Sequence, residues 1–350
     1  AVGTFAGGAP AVAATPGVRW RMACSFPKSL DNIFGAAELL ARRVSAMTEG
    51  RFEIRVFAAG ELVPGLQVLD ACVQGTVECG QTQGFYYIGK NKAFAFDSAL
   101  PFGLNSRQHN AWLYNGGGLE LVRELYAQHE CTFFPAGNSG AQMGGWYRRE
   151  IHSLADMKGL KVRIPGIAGE IAARLGAVPQ TIPGADIYPA LEKGTIDAAE
   201  WVGPYDDEKL GFYRVAPHYY FPGWWEGSSC ISFIVNLKQW NALPPAYREA
   251  FEVAAAEANV RMVAAYDAKN PQALARLVAA GVQLHPYPKD VLEAALAAAE
   301  ALYDEEAARN PVFRKFLVPW RKFRYEQTQW YRIAEATFNN FMASRSPVPK

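Results

Sequence analysis

The sequence lacks a charge excess: 35 Lys and Arg stand against 34 Asp and Glu, a formal net charge of +1 over 350 residues. Near-neutrality argues against a nucleic-acid binder, which shows a clear basic surplus. No uncharged run of membrane-like hydrophobicity reaches the roughly 18–20 residues of a spanning helix. The five cysteines (Cys24, Cys72, Cys79, Cys131, Cys230) include no CxxC pair and no Cys/His group at zinc spacing. A disulfide scaffold is therefore excluded. P-loop, GxGxxG, HExxH and EF-hand spacings are all missing, so the usual enzyme signatures are absent. What is present is 50% hydrophobic and 13% aromatic. That composition excludes a disordered chain. The length suits about two domains, at roughly 100–200 residues each.

The chain begins at Ala1, and residues 1–18 carry no charge. Ala11-Val12-Ala13 fits the small-x-small pattern of a signal peptidase site, so residues 1–17 read as a leader remnant, or else as a tail. From Trp20, strand and helix patterns alternate, which predicts an α/β layered fold with substantially parallel sheets. Strands are expected over Val77–Thr82, Gln142–Tyr147 and Ile196–Val202 among others. Arg107–His129 reads as helical, with Gly116–Gly118 as a break inside it. After Leu237 the pattern turns helical over Pro245–Ala268, Pro271–Ala280, Lys289–Ala308 and Trp320–Ala343. Only the strand Val282–Pro286 interrupts it. The last helix carries Trp320, Phe323, Tyr325, Trp330, Tyr331, Phe338 and Phe341. That is more aromatic surface than one core-facing stripe needs, which points to a partner or a second subunit.

Gly137-Asn138-Ser139-Gly140-Ala141 is a weak match to a nucleophile elbow, and no nearby sequence pairs Ser139 with a histidine. Two other stretches are far more specific. Ser153, Asp156, Gly159, Lys161 and Arg163 fall in the pattern S-x-x-D-x-x-G-x-K-x-R. Tyr188, Ala190, Leu191, Gly194, Asp197 and Glu200 fall in Y-x-A-L-x-x-G-x-x-D-x-x-E. The pair resembles the solute-binding proteins of the TRAP (tripartite ATP-independent periplasmic) transporters. Leu69–Glu78 resembles that family's first helix-to-strand unit. Gln142, Glu200-Trp201 and Trp224-Trp225-Glu226 are similar to the subgroup that binds 2-oxo or 2-hydroxy monocarboxylates together with a metal ion.

The side-chain chemistry is consistent with this. Arg163 closes a strand, where its planar guanidinium can hold a carboxylate bidentately. Ligands in α/β sheets sit beyond strand carboxyl ends. Glu200 ends an apolar strand, and Glu226 sits beside two tryptophans; each needs a partner there. Two glutamates and the Gln142 amide are hard oxygen donors, suited to Na⁺ or Ca²⁺. The resemblance adds the Trp201 carbonyl. A cation would also reconcile two carboxylates with an anionic ligand.

The expected protein is a two-lobe α/β binding protein of the periplasmic-binding-protein type, with a hinge and a long C-terminal helix. Lobe I covers 18–138 plus 227–268, and lobe II covers 139–226 plus 269–318. Residues 319–350 form a dimerisation helix. The expected substrate set is Arg163, Gln142, Tyr87, Phe102, Trp201 and Asn138. The expected metal set is Gln142, Glu200, Trp201 and Glu226, holding Na⁺ or Ca²⁺. The resemblance implies an exported, periplasmic protein that hands a pyruvate-like acid to a membrane permease and performs no chemistry. The alternative is a metal-assisted hydrolase or lyase with Glu200 or Glu226 as base. A third reading is an interaction protein built on the C-terminal helix.

Overall fold

The computed structural model describes residues 17–345, so the leader reading of 1–17 lies outside the described residues but for Gly17. Among the described residues, eleven strands form two sheets. They are β1 (Val18–Cys24), β2 (Phe52–Phe57), β3 (Cys79–Thr82), β4 (Cys131–Asn138), β5 (Gly145–Tyr147), β6 (Lys161–Arg163), β7 (Val178–Gln180), β8 (Ala198–Ala199), β9 (His218–Phe221), β10 (Cys230–Asn236) and β11 (Gln283–Pro286). The first sheet runs β2-β1-β3-β10-β4, and the second runs β11-β9-β5-β8-β6-β7. β1 is parallel to β2 and β3, while β10 runs antiparallel between β3 and β4. In the second sheet β6 is parallel to both β7 and β8, and β11 is parallel to β9.

The strands explain their own placement. Every residue of β4 and of β10 is buried, and both read as near-continuous apolar runs. β2 is an edge strand with β1 beside it, and both alternate charged with apolar residues. The helix Ile33–Met47 buries Ile33, Ala36, Ala37, Leu40 and Val44, an i, i+3, i+4 stripe.

The chain moves between sheets three times. It passes from β4 to β5, returns from β9 to β10, and crosses again through the helix Pro245–Ala279 to β11. The first two crossings lie side by side. Ser139 N donates to Ser229 O at 2.9 Å, and Gly223 N donates to Gln142 O at 3.1 Å. Ser229 N in turn donates to Ser139 Oγ at 2.8 Å. First-sheet strands come from 18–138 and 230–236, and second-sheet strands from 145–221 and 283–286.

Several boundaries differ from the pattern reading. The strands expected over Gln142–Tyr147 and Ile196–Val202 shrink to β5 and β8, because their outer residues turn toward the space between the sheets. The run Arg107–His129 breaks into Ser106–Asn115 and Gly118–Ala127, with Gly117 at φ +81° between them. Two prolines do not break their helices. Pro245–Ala279 runs through Pro271, and the last helix, Pro311–Arg345, runs through Pro319 and so begins eight residues before 319. That helix buries Phe313, Phe316, Leu317 and Trp320 on its own chain, then leaves Ile333 72%, Tyr325 66% and Phe338 63% exposed. All five cysteines are buried and free. No helix among the described residues is long and apolar enough to cross a membrane.

Candidate functional site

The two short crossings and the carboxyl ends of β3, β6 and β8 converge on one nearly closed cavity with about 10 Å³ of free space. Arg163 ends β6 and is only 2% exposed. Burial of its charge is partly offset by three acceptor contacts. Nε donates to Ile182 O at 3.0 Å, and Nη1 donates to Glu200 O at 3.1 Å and to the Glu200 carboxylate. The guanidinium lies 5.0 Å from the Trp201 ring centroid, a cation–π stack. Gly184 makes room for that indole, since a Cβ there would come within 2.5 Å of the Trp201 ring. The segment after Trp201 is fixed by buried Asp207, which accepts from Val202 N at 3.3 Å, Trp146 Nε1 at 2.9 Å and Tyr219 Oη at 2.7 Å.

Opposite Arg163, the second crossing brings in Glu226 and the first brings in Gln142. Gln142 Nε2 donates to Glu226 Oε2 at 2.7 Å and to Ser139 Oγ at 2.9 Å. Gln142 Oε1 is buried with no partner. The third wall is the turn Gly84–Tyr87 after β3, which presents Phe85 and Tyr86. Gly84 N donates to Asp97 Oδ1 at 3.0 Å, and a Cβ on Gly84 would collide with that oxygen at 2.2 Å. Glycine is thus required for this turn to seat Tyr86.

The electrostatics are those of a site short of positive charge. Burial raises the Glu200 carboxyl to about 7; Arg163 opposes the rise and Asp207 adds to it. Burial also pushes Glu226 well above its ordinary range; the Glu200 charge adds to this, while Ser229, Arg163 and Gln142 work against it. The Tyr86 phenol is pushed up to about 12 by burial, against the pull of Arg163. One guanidinium therefore faces two carboxyls that desolvation holds toward the neutral form. The donors fit a hard cation: the Gln142 oxygen is buried without a partner, and Gln142 lines the same cavity as both carboxylates. Gln142, Glu200 and Glu226 would hold it. When bound it supplies the positive charge that lets both glutamates ionise.

Arg163, Gln142, Trp201, Glu200 and Glu226 all line this cavity, while Tyr87, Phe102 and Asn138 do not. Tyr87 turns the other way. Its hydroxyl accepts from Leu69 N at 3.1 Å and lies 2.6 Å from Thr82 Oγ1, so it belongs to the first-sheet core. Phe102 stacks on Trp224 at 5.6 Å. Asn138 sits behind the wall, and its Oδ1 accepts from Gly140 N at 2.9 Å. Gln83, Phe85, Tyr86 and Ser139 also line the cavity, outside the substrate set expected from the sequence. The position of Gln83–Tyr86 just past the carboxyl end of β3 was the available signal. No histidine lines the cavity, and Ser139 Oγ donates to Gly140 O at 3.1 Å.

Comparison with known proteins places this geometry in context. The family model described as bacterial extracellular solute-binding protein, family 7, matches residues 24–310. A relative from Nostoc sp., the monocarboxylate 2-oxoacid-binding periplasmic protein, is 52% identical over 332 residues, covering 95% of this chain and 91% of that one. A TRAP transporter solute-binding protein from Bordetella bronchiseptica has a TM-score of 0.93 and 54% identity, covering 94% of this chain and 98% of that chain. It was solved as a mixed-occupancy dimer with copurified calcium and picolinate. A TRAP periplasmic solute-binding protein from Colwellia psychrerythraea has a TM-score of 0.90 and 36% identity, covering 93% and 99%, and holds calcium and pyruvate. Its counterpart from Pseudoalteromonas atlantica, with the same score, identity and coverage, holds sodium and pyruvate. The match spans most of the chain, and the two-sheet fold is shared at high TM-score, so the chain belongs to family 7 of the bacterial extracellular solute-binding proteins.

Proposed function

We propose that this protein captures a small 2-oxo or 2-hydroxy monocarboxylate, pyruvate-like in size, together with Na⁺ or Ca²⁺, and passes it to a TRAP membrane permease. The observation that carries this is the pairing of buried Arg163 with the unpartnered Gln142 oxygen and two burial-raised glutamates in one cavity. Arg163 offers a planar donor edge to the substrate carboxylate, with Trp201 stacked behind it to fix its plane. Tyr86 and Phe85 close the opposite side.

The walls come from both sheets, so ligand contacts on both sides favour the shut form over an open one. The hinge in this reading is the pair of crossings 139–144 and 222–229. The lobes are those of the sequence reading, 18–138 plus 227–268 and 139–226 plus 269–318, with Pro245–Ala279 spanning both. The C-terminal helix pairs two subunits through its exposed Tyr325, Trp330, Ile333, Phe338 and Phe341. The protein acts in the periplasm after loss of a leader, and it releases its ligand unaltered. The hydrolase or lyase alternative has no support: Glu200 is committed to Arg163, and the family is one of binding proteins.

The test is calorimetric titration of cation-stripped protein with pyruvate, in the presence and absence of Ca²⁺, with recovery of the ligand. Binding of unaltered pyruvate is the expected result. Turnover of pyruvate, or no binding of any small 2-oxo acid, would overturn the proposal.

A further inference from the structure

A second group of metal-binding side chains lies far from the cavity, at the outer edge of the second sheet. The parallel register pairs His218 of β9 with Gln283 of β11 and Tyr220 with His285. His218 and His285 therefore sit diagonally on one face, and their rings meet: His218 Nδ1 is 3.1 Å from His285 Nε2. The loop after β5 brings Glu150 to the same spot, with one ligand atom from each of the three residues within 4.8 Å of the others. His152 joins from that loop, its Nε2 3.5 Å from Glu150 Oε2. Two zinc ligands about 2.0–2.1 Å from a tetrahedral ion stand roughly 3.3 Å apart, close to the spacing of the two imidazoles.

The support behind these groups is specific. The Tyr220 hydroxyl accepts from Ile151 N at 2.6 Å, which anchors the residue between Glu150 and His152. The same Tyr220 ring stacks on His285 at 5.1 Å. Asp156 accepts from His152 N at 2.9 Å and shapes the rest of the loop. Two of the donors thus sit on paired strands, and the other two on a loop tied to one of those strands. Glu150 is 38% exposed and can swing by a rotamer to complete the set.

We propose that His218, His285, Glu150 and His152 bind a zinc-class divalent cation. Imidazole nitrogens select Zn²⁺, Ni²⁺ or Cu²⁺ over the hard ions that suit the all-oxygen cavity. The ion would staple edge strand β11 to β9 and to the 148–152 loop, closing chain segments of more than 60 residues.

The experiment uses the full chain, stripped with a chelator and then saturated with Ca²⁺ and pyruvate. Zn²⁺ is titrated by calorimetry, and Co²⁺ by visible absorption. One Zn²⁺ per chain and a Co²⁺ spectrum of nitrogen ligation that Zn²⁺ displaces are expected. His285→Gln and His218→Gln each weaken Zn²⁺ binding by about tenfold or more, while pyruvate binding reports that these variants are folded. Glu226→Gln leaves the zinc stoichiometry unchanged. Absence of zinc binding by the wild type, or binding by both histidine variants as tight as the wild type's, overturns the proposal. In either case the imidazole pair is a hydrogen bond only.

Discussion

Gln142 donates its amide nitrogen to Glu226 at 2.7 Å, while its amide oxygen, equally buried, has no partner. A buried carbonyl oxygen without a donor costs roughly 1–3 kcal/mol. The Glu226 carboxylate that accepts from the same amide is itself pushed well above its ordinary range by burial. Both features are costs in the empty protein, and both are relieved by one cation.

Replacement of Glu226 by Gln should therefore separate stability from binding. Thermal unfolding of ligand-free Glu226→Gln is expected at or above the wild-type temperature, because a poorly solvated carboxyl has been removed. The stabilisation that Ca²⁺ gives the wild type should vanish. Loss of stability in the ligand-free variant, with calcium stabilisation retained, would contradict the assignment.

The pH dependence follows from the same groups. Burial raises Glu200 to about 7, Asp206 to about 7 and Asp207 to about 6. In the window between their ordinary values and these raised values, the native state binds more protons than the unfolded state. Stability contributed by these groups therefore falls as pH rises through that window. The melting-temperature gain from added Ca²⁺ should grow from about pH 5 to about pH 8, as protons compete less with the cation for the glutamates. A gain that is flat or shrinks with pH would show that Glu200 and Glu226 are not ligands.

Arg163→Lys keeps the charge and loses the fork. A point charge cannot reproduce the three acceptor contacts made to Ile182 and Glu200. Pyruvate affinity should fall by about 2–5 kcal/mol, the range for disrupting a buried charged partner, and added Ca²⁺ should not restore it. Titration by intrinsic tryptophan fluorescence is suited to this test, since Trp201 stacks on the same guanidinium.

Neighbouring tyrosines are expected to behave oppositely. Tyr86→Phe removes a hydroxyl from the cavity wall and should weaken ligand binding with little change in melting temperature. Tyr87→Phe removes the partner of Leu69 N and Thr82, and should cost about 1–2 kcal/mol of stability with affinity unchanged. Denaturant unfolding together with ligand titration of each variant gives the four values needed. An affinity loss on Tyr87→Phe would restore it to the site.

Much of this site could be read from spacing. Arg163 and Glu200 close two strands that lie beside each other in the sheet, and each stands at a fixed point of a specific motif. The choice among Phe85, Tyr86 and Tyr87 could not. In this single turn Phe85 and Tyr86 face the cavity while Tyr87 turns into the core, and the seating of Gly84 against Asp97 fixes that orientation. Pro271 and Pro319 read as helix breaks, because a proline removes a hydrogen bond and crowds the preceding turn. Each helix nevertheless continues, packed against the rest of the chain. The edge cluster was invisible for another reason. His152, His218 and His285 are scattered along the chain, and only the β9–β11 register brings two of them onto one face.

The central claim is that substrate and cation bind as one unit. The most direct measurement is pyruvate titration by calorimetry in a buffer free of sodium and calcium, repeated after addition of each ion. Binding that is absent or severalfold weaker without the cation, and restored by Ca²⁺ or Na⁺, is the expected result. Equal affinity with and without either ion would contradict the claim, because Arg163 alone would then suffice to hold the acid.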